Sequence, residues 1–291
     1  MFKKLYFLAA LGLVAASCNV KEERVLCSAP VSVHVDDFLV TVDTFSDTKA
    51  EQSATEYSGV KGLTLAFYDG DTEVYKHSQV KGALEEGETF GEFNLSLSMG
   101  TYTMVVLGYG MSEDDNLVLT SPTVAAYTGP HARETFAATG PVEIASTEGV
   151  ELSATLDRIV AKLQVLSTDG RAADATNVRM TLSAGGKAFN PTTGLATSNT
   201  GFSNTVNISV AAGTPSSSIT YLFLASDEQT LDVTVDVLDA EGQVLSSKVA
   251  TGVPFQRNRT TKLTGTLYSA ETQANSFQLE TAWLPDHNAT F

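Results

Sequence analysis

Apolar and polar residues alternate with a period of two along most of the chain, the signature of strands with one face in a core and one face toward water. Val31, Val33 and Val35 alternate with Ser32 and His34. After Asp36-Asp37 the alternation resumes at Phe38, Val40 and Val42, which predicts a first strand over 31–42 with a bulge or break at the acidic pair. Residues 44–58, TFSDTKAEQSATEYS, carry no period and few apolar side chains, and predict an exposed linker open to proteolysis. Leu63, Leu65 and Phe67 resume the pattern, and Asp69-Gly70-Asp71 turns the chain into a second arm over Glu73–His77. Phe93, Leu95, Leu97 and Met99 form the next alternating run. Gly100 then leads into Thr101–Leu107, TYTMVVL, whose continuous apolar stretch predicts a strand covered on both faces. Glu113–Asn116 reads as a loop before a short strand around Leu117–Leu119.

The central stretch, Glu151–Val165, follows the Thr-Glu-Gly punctuation at 147–149. Ile159, Ala161, Leu163 and Val165 share one face, and Arg158, Val160, Lys162 and Gln164 the other. It reads as one half-buried strand that opens a second β domain, dividing the chain into 18–153 and 154–291. Beyond it, strands are expected at Val178–Leu182, Val206–Val210, Thr220–Leu224, Thr261–Tyr268 and Ser276–Leu284. The clearest hairpin runs from Leu231 to Val237, turns at Asp239–Gly242 and returns through Val244–Val249. Gly185-Gly186 and Asn190-Pro191 read as loops. No window fits a helical period. Many short strands joined by Gly, Asn and Asp turns predict an all-β protein of antiparallel sandwiches.

Composition narrows the function. At 291 residues and 43% hydrophobic there is material for two domain cores or one large one. With 18 Lys and Arg against 34 Asp and Glu, the formal charge is −16, so no basic surface is available for phosphates and nucleic acid is excluded as a partner. His34, His77, His131 and His287 are far apart, and none has a partner at metal-ligand spacing. Neither a G-x-S-x-G elbow nor a P-loop occurs. Glu85-Glu86-Gly87-Glu88 and Glu113-Asp114-Asp115-Asn116 lack EF-hand spacing and read as solvated acidic loops. The residues therefore point to no catalytic centre, no metal and no cofactor.

The leader is more specific. Lys3 and Lys4 precede an apolar run, Leu5–Ala16, too short to span a bilayer and of signal-peptide length. It ends on Ala15-Ala16-Ser17 directly before Cys18. That junction resembles a lipobox, with residues 1–17 removed and lipid carried on Cys18, although Ala15 stands where Leu is usual. The alternative is an ordinary secretory signal in which Cys18 is incidental. Cys27 is the one other cysteine, so no disulfide framework is expected. Lys21-Glu22-Glu23 resembles the export signal that sends some Bacteroidetes lipoproteins to the cell surface.

These pieces together resemble the fimbrillin family, the type V pilus subunits and their surface-lipoprotein relatives in Bacteroidales. The residues carrying the resemblance are the lipobox, the first strand, the polar stretch with a basic residue, and three later motifs. The motifs are Gly100-Thr101-Tyr102-Thr103-Met104-Val105-Val106, Leu156-Asp157-Arg158-Ile159-Val160-Ala161-Lys162-Leu163 and Arg257-Asn258-Arg259-Thr260-Thr261-Lys262-Leu263-Thr264-Gly265. The resemblance implies two tandem transthyretin-like antiparallel β-sandwich domains and an outer-membrane surface lipoprotein tethered through Cys18. It also implies assembly with other fimbrial subunits by β-strand addition. In that scheme a protease cuts at Lys49, where the family carries Arg, and removes the first strand. The C-terminal segment 277–291 of another subunit, with Phe277, Leu279 and Trp283 on one face, fills the opened groove. Without a cut the chain is an anchor subunit. The other reading is a monomeric surface-tethered lipoprotein that binds glycan or host protein, with Tyr109, Tyr127 and Trp283 as stacking residues.

Overall fold

The computed structural model describes residues 28–41, 49–53, 56–113, 115–269 and 278–279. Every regular element among them is a strand, as the period-two patterning predicts. The first half of the chain supplies β1 (Ser28–Thr41), β2 (Lys49–Ser53), β3 (Gly62–Asp69), β4 (Thr72–Val80), β5 (Glu92–Ser98), β6 (Gly100–Tyr109), β7 (Leu117–Ser121), β8 (Val124–Tyr127), β9 (Thr135–Ile144) and β10 (Val150–Arg158). The second half supplies β11 (Ala161–Ser167), β12 (Asn177–Leu182), β13 (Ala188–Asn190), β14 (Leu195–Ala196), β15 (Phe202–Asn207), β16 (Ser217–Leu222), β17 (Glu228–Leu238), β18 (Val244–Gln256), β19 (Thr260–Gly265) and β20 (Gln278–Leu279).

The first sheet has the order β2-β1-β10-β9-β6-β3-β4, with β5 also paired to β1. Among the described residues its two arms are laddered together only where Asp157 pairs with Ala137 and Arg158 with Phe136. The sheet turns a corner there, and both arms contribute to one core. Val31, Val33 and Val35 of β1 and Leu156 of β10 come from one arm; Leu65, Phe67 and Val106 come from the other. A second core lies between the sheets β16-β11-β19-β20 and β15-β12-β17-β18, with Leu163, Val165, Met180, Val235 and Phe255 inside it.

A fourth sheet, β14-β13-β8-β7, draws strands from both halves of the chain. Ala188 and Phe189 pair with Ala126 and Ala125, and a stacked Phe189–Phe223 pair with centroids 4.3 Å apart lies beside them. The core beneath this sheet takes Ala66 and Tyr68 from β3 and Val105, Leu107 and Tyr109 from β6. Those strands place their alternate residues, Leu65, Phe67, Met104 and Val106, in the first core. The apolar run over 101–107 is thus covered on both faces, for the reason its lack of alternation suggests.

Several sequence expectations need correction. The stretch 151–165 is two strands. Ile159 and Val160 belong to neither; both are buried in the third core, where the Ile159 N–H donates to the Thr135 carbonyl and the Val160 carbonyl accepts from Asn258 N–H. The buried positions change parity across the break, from Ala154 and Leu156 in β10 to Ala161, Leu163 and Val165 in β11, and the consecutive apolar residues 159–161 mask that change in the sequence. The polar stretch 44–58 contains β2, whose ladder with β1 needs only backbone groups and so leaves no mark in side-chain pattern. β8 and β9 carry too little alternation to be expected, and β9 contains Gly140-Pro141. The strand expected over 206–210 ends at Asn207. The bulge at Asp36-Asp37 is present as a register shift between Val35 and Asp37.

Candidate strand-exchange site

β1 is the strand to which the first sheet is fastened. Ala29, Val31, Val33 and Val35 are between 0% and 5% exposed, so these four side chains lie fully within the first core. On one edge it runs parallel to β10, from Val31 opposite Val150 to Leu39 opposite Asp157. The other edge is shared end to end. Ser28–His34 pair with β5, and Asp37–Thr41 pair with β2. The Val35 N–H adds a bond to the Gly91 carbonyl at 2.8 Å. Apolar positions on one face and ladder bonds on both edges are the two features an exchangeable strand needs.

Lys49 opens β2, with its backbone opposite Thr41, so the stretch expected to be an open linker is paired at the expected cut. β2 ends the sheet order, and β1 is its strand partner among the described residues. Cys18, Phe277 and Trp283 lie outside the described residues. Leu279 is described in its backbone, which pairs antiparallel with Leu263 on the edge of the second core's sheet.

Tyr109 and Tyr127 are each 2% exposed, which removes both from a glycan-stacking surface. Each hydroxyl has an internal partner: Thr64 at 3.2 Å for Tyr109 and Thr135 at 2.8 Å for Tyr127. Among the described acidic-loop residues, Glu88 is engaged by His77 and by the Glu85 N–H at 2.9 Å. Asp115 is buried and accepts from Arg133 Nε and Gly129 N–H at 2.7 Å each. Among the described residues no group of His, Cys, Asp or Glu gathers as a metal site.

A polar cluster at the corner of the first sheet escapes sequence reasoning. Arg158, the last residue of β10, pairs with Glu134 at 2.7 Å, and the two side chains are only 14% and 13% exposed. The Tyr57 hydroxyl donates to the same Glu134 oxygen at 2.7 Å and accepts from Arg158 Nη2 at 3.2 Å. Arg158 Nη1 donates to Asn258 Oδ1 at 3.3 Å, and its guanidinium lies 5.2 Å from the Phe136 ring centre. Burial pushes the Tyr57 phenol pKa upward, and the Glu134 carboxylate adds to that. Asn258 sits in the left-handed region at φ 59, in the turn that leads into β19. Lys162 N–H donates to the Arg259 carbonyl, and β11 then runs parallel to β19 from Lys162 opposite Thr260 to Ser167 opposite Gly265. The two later motifs of the sequence are therefore neighbours in space.

Comparison with known proteins follows from this architecture. A candidate adhesin from Bacteroides ovatus shares 12% identity and superimposes with a TM-score of 0.51, over 88% of this chain and 93% of that one. A second candidate adhesin from Bacteroides ovatus ATCC 8483 gives 10% identity and a TM-score of 0.50, over 84% and 88%. The fimbrial anchor protein Mfa2 from Porphyromonas gingivalis is similar at 14% identity and a TM-score of 0.48, over 82% and 91%. At such identities the two Bacteroides ovatus structures establish likeness of fold alone. No curated protein matches the chain in sequence. A family model described as a family of unknown function, DUF6562, matches residues 31–283, from within β1 to beyond β20, and this chain belongs to that family.

Proposed function

We propose that this chain is a fimbrial or fimbrillin-like surface subunit, tethered to the outer membrane through lipid on Cys18, that assembles by exchange of its first strand and contributes to adhesion without catalysis. The observation that carries the reading is the position of β1. It is paired along both edges and buried on one face from Ala29 to Val35, and its neighbours β5 and β2 have no other strand partner among the described residues. Removing such a strand leaves an apolar groove flanked by open ladder edges, which another extended chain segment fits. The two cores on either side of Ile159-Val160 support a reading as two transthyretin-like domains, and the fold neighbours, both candidate adhesins, accord with a surface role.

The donor in this scheme is segment 277–291 of a neighbouring subunit, and the cut that frees the groove is at Lys49. The decisive measurement is the N-terminus of protein recovered from the cell surface, read alongside SDS-resistant ladders. An N-terminus at Ala50 together with ladders is the expected result for a polymerising subunit. A lipidated Cys18 on a chain that forms ladders only as their terminal unit identifies an anchor. Intact monomer alone, with neither ladders nor a fimbrial partner, rejects strand exchange. Incorporation of a fatty-acid label that disappears in Cys18→Ser tests the tether.

A further inference from the structure

We propose that two side-chain clamps, Arg158 with Tyr57 and Glu134 on one wall and the buried Gln79 on the other, hold the groove open to an incoming strand while β1 is absent. This rests on the strand-exchange reading. β10 faces β1 at eight positions but meets β9 at only two, Asp157 opposite Ala137 and Arg158 opposite Phe136. Among the described residues β5 has no strand partner besides β1. Once β1 leaves, backbone ladders therefore hold neither wall along its length, and unpaired strands with solvated backbone lose the entropy advantage of being pre-formed.

Side chains make good that deficit at one end of each wall. Arg158 terminates β10, and its guanidinium is bound at once to Glu134, Tyr57 and Asn258, none of which belongs to β1. Tyr57 is itself fixed beyond β2. Its ring meets Phe136 edge-on at 5.7 Å, and its carbonyl accepts from Lys81 Nζ at 3.2 Å. On the opposite wall Gln79, at the end of β4 and 1% exposed, is bonded entirely to the lead-in of β5. Its Oε1 accepts from Gly91 N–H at 2.9 Å, and its Nε2 donates to the Glu92 and Thr89 carbonyls at 2.8 and 3.2 Å. Every bond named in the two clamps is made by groups outside residues 28–53, so removing that segment takes none of them away.

The test uses the full chain with a site-specific protease sequence placed between Thr41 and Lys49, immobilised by its C-terminal end. After cutting, β1 is washed away in mild urea, the protein is returned to buffer, and a fluorescent peptide of sequence Ser28–Thr41 is supplied. The association rate is read for the parent, Tyr57→Phe, Gln79→Leu and Val235→Ala. Peptide is expected to bind the parent. Tyr57→Phe and Gln79→Leu are expected to associate roughly tenfold more slowly, since an acceptor that is seldom in the receptive form binds in proportion to that fraction. Val235→Ala creates a cavity in the other core and is expected to lower the melting temperature while leaving the association rate alone. If both clamp variants associate at the parental rate, the clamps are overturned and strand exchange stands. If the cut parent takes up no peptide, strand exchange falls and the clamps with it.

Discussion

Arg158 and Asn258, one hundred positions apart, are joined by a hydrogen bond of 3.3 Å from the guanidinium Nη1 to the side-chain carbonyl of a residue held at φ 59. The bond ties the last residue of β10, on the wall of the β1 groove, to the turn that launches β19 in the second core's sheet. The crossing between the two regions takes only Ile159 and Val160, and this contact braces it.

Arg158→Met is expected to lower stability by about 3 kcal/mol, because it leaves the largely enclosed Glu134 carboxylate without its cation and with only the Tyr57 hydroxyl bond. Glu134→Gln in the same chain is expected to restore part of that loss. Urea unfolding of both single variants and the double variant measures the coupling; strictly additive effects would contradict a shared network.

On β1 the two faces are expected to respond oppositely. Val33→Ala removes two buried carbons from the first core and is expected to cost roughly 2 kcal/mol. Ser32→Ala removes an exposed bond to Asn94 Oδ1 and is expected to fall within about 0.5 kcal/mol of the parent. Equal costs at the two positions would contradict the register of β1 against β5 and β10.

Asp169 receives three backbone N–H groups, from Leu267 at 2.7 Å and from Tyr268 and Ser269 at 2.9 Å each. Asp169→Ala is expected to cost about 2–3 kcal/mol, the range for hydrogen bonds to a charged group lost at a partly buried site. Hydrogen exchange should accelerate at the amides of 267–269 before the β11–β19 ladder is affected. Unchanged protection there would show that the carboxylate fixes nothing.

Stability is expected to decline in alkali. Burial raises the phenol pKa of Tyr57, Tyr109 and Tyr127, and burial followed by the Glu73 charge pushes Tyr68 up to about 12. A phenol whose folded-state pKa exceeds the unfolded one stays protonated in the native chain while the unfolded chain ionises. Its contribution is therefore complete below the unfolded value of about 10 and is lost as pH rises toward the folded value. The urea midpoint should hold steady below about pH 10 and fall above it. Tyr57→Phe should make the fall shallower. A midpoint independent of pH in that range would contradict the burial of these rings.

Legibility in the sequence followed physical cause. Where a strand is buried on one face, as at Val31–Val35, Val178–Leu182 and Leu231–Val237, alternate residues must be apolar and the strand is visible in the letters. β2 is held through its ladder with β1 and β9 carries Gly140-Pro141, so neither shows the pattern. The polar cluster of Tyr57, Glu134, Arg158 and Asn258 was out of reach because its members are scattered over two hundred positions and none has a partner at local spacing. Tyr109 and Tyr127, stacking residues in the glycan-binding alternative, are core because the sheet β14-β13-β8-β7, to which Tyr127 belongs, packs against β3 and β6.

By itself the sequence determined that the regular elements among the described residues are strands, that the first strand is interrupted at Asp36-Asp37, and that Met104–Leu107 is covered on both faces, because each follows from the local order of apolar and polar side chains. Tertiary structure alone decided that β1 runs between β10 and the pair β5 and β2, that the chain breaks at Ile159-Val160, and that strands from both halves make a common fourth sheet. Backbone hydrogen bonds are chemically alike at every residue, so the letters fix which face of a strand is wet but not which neighbour satisfies its edges.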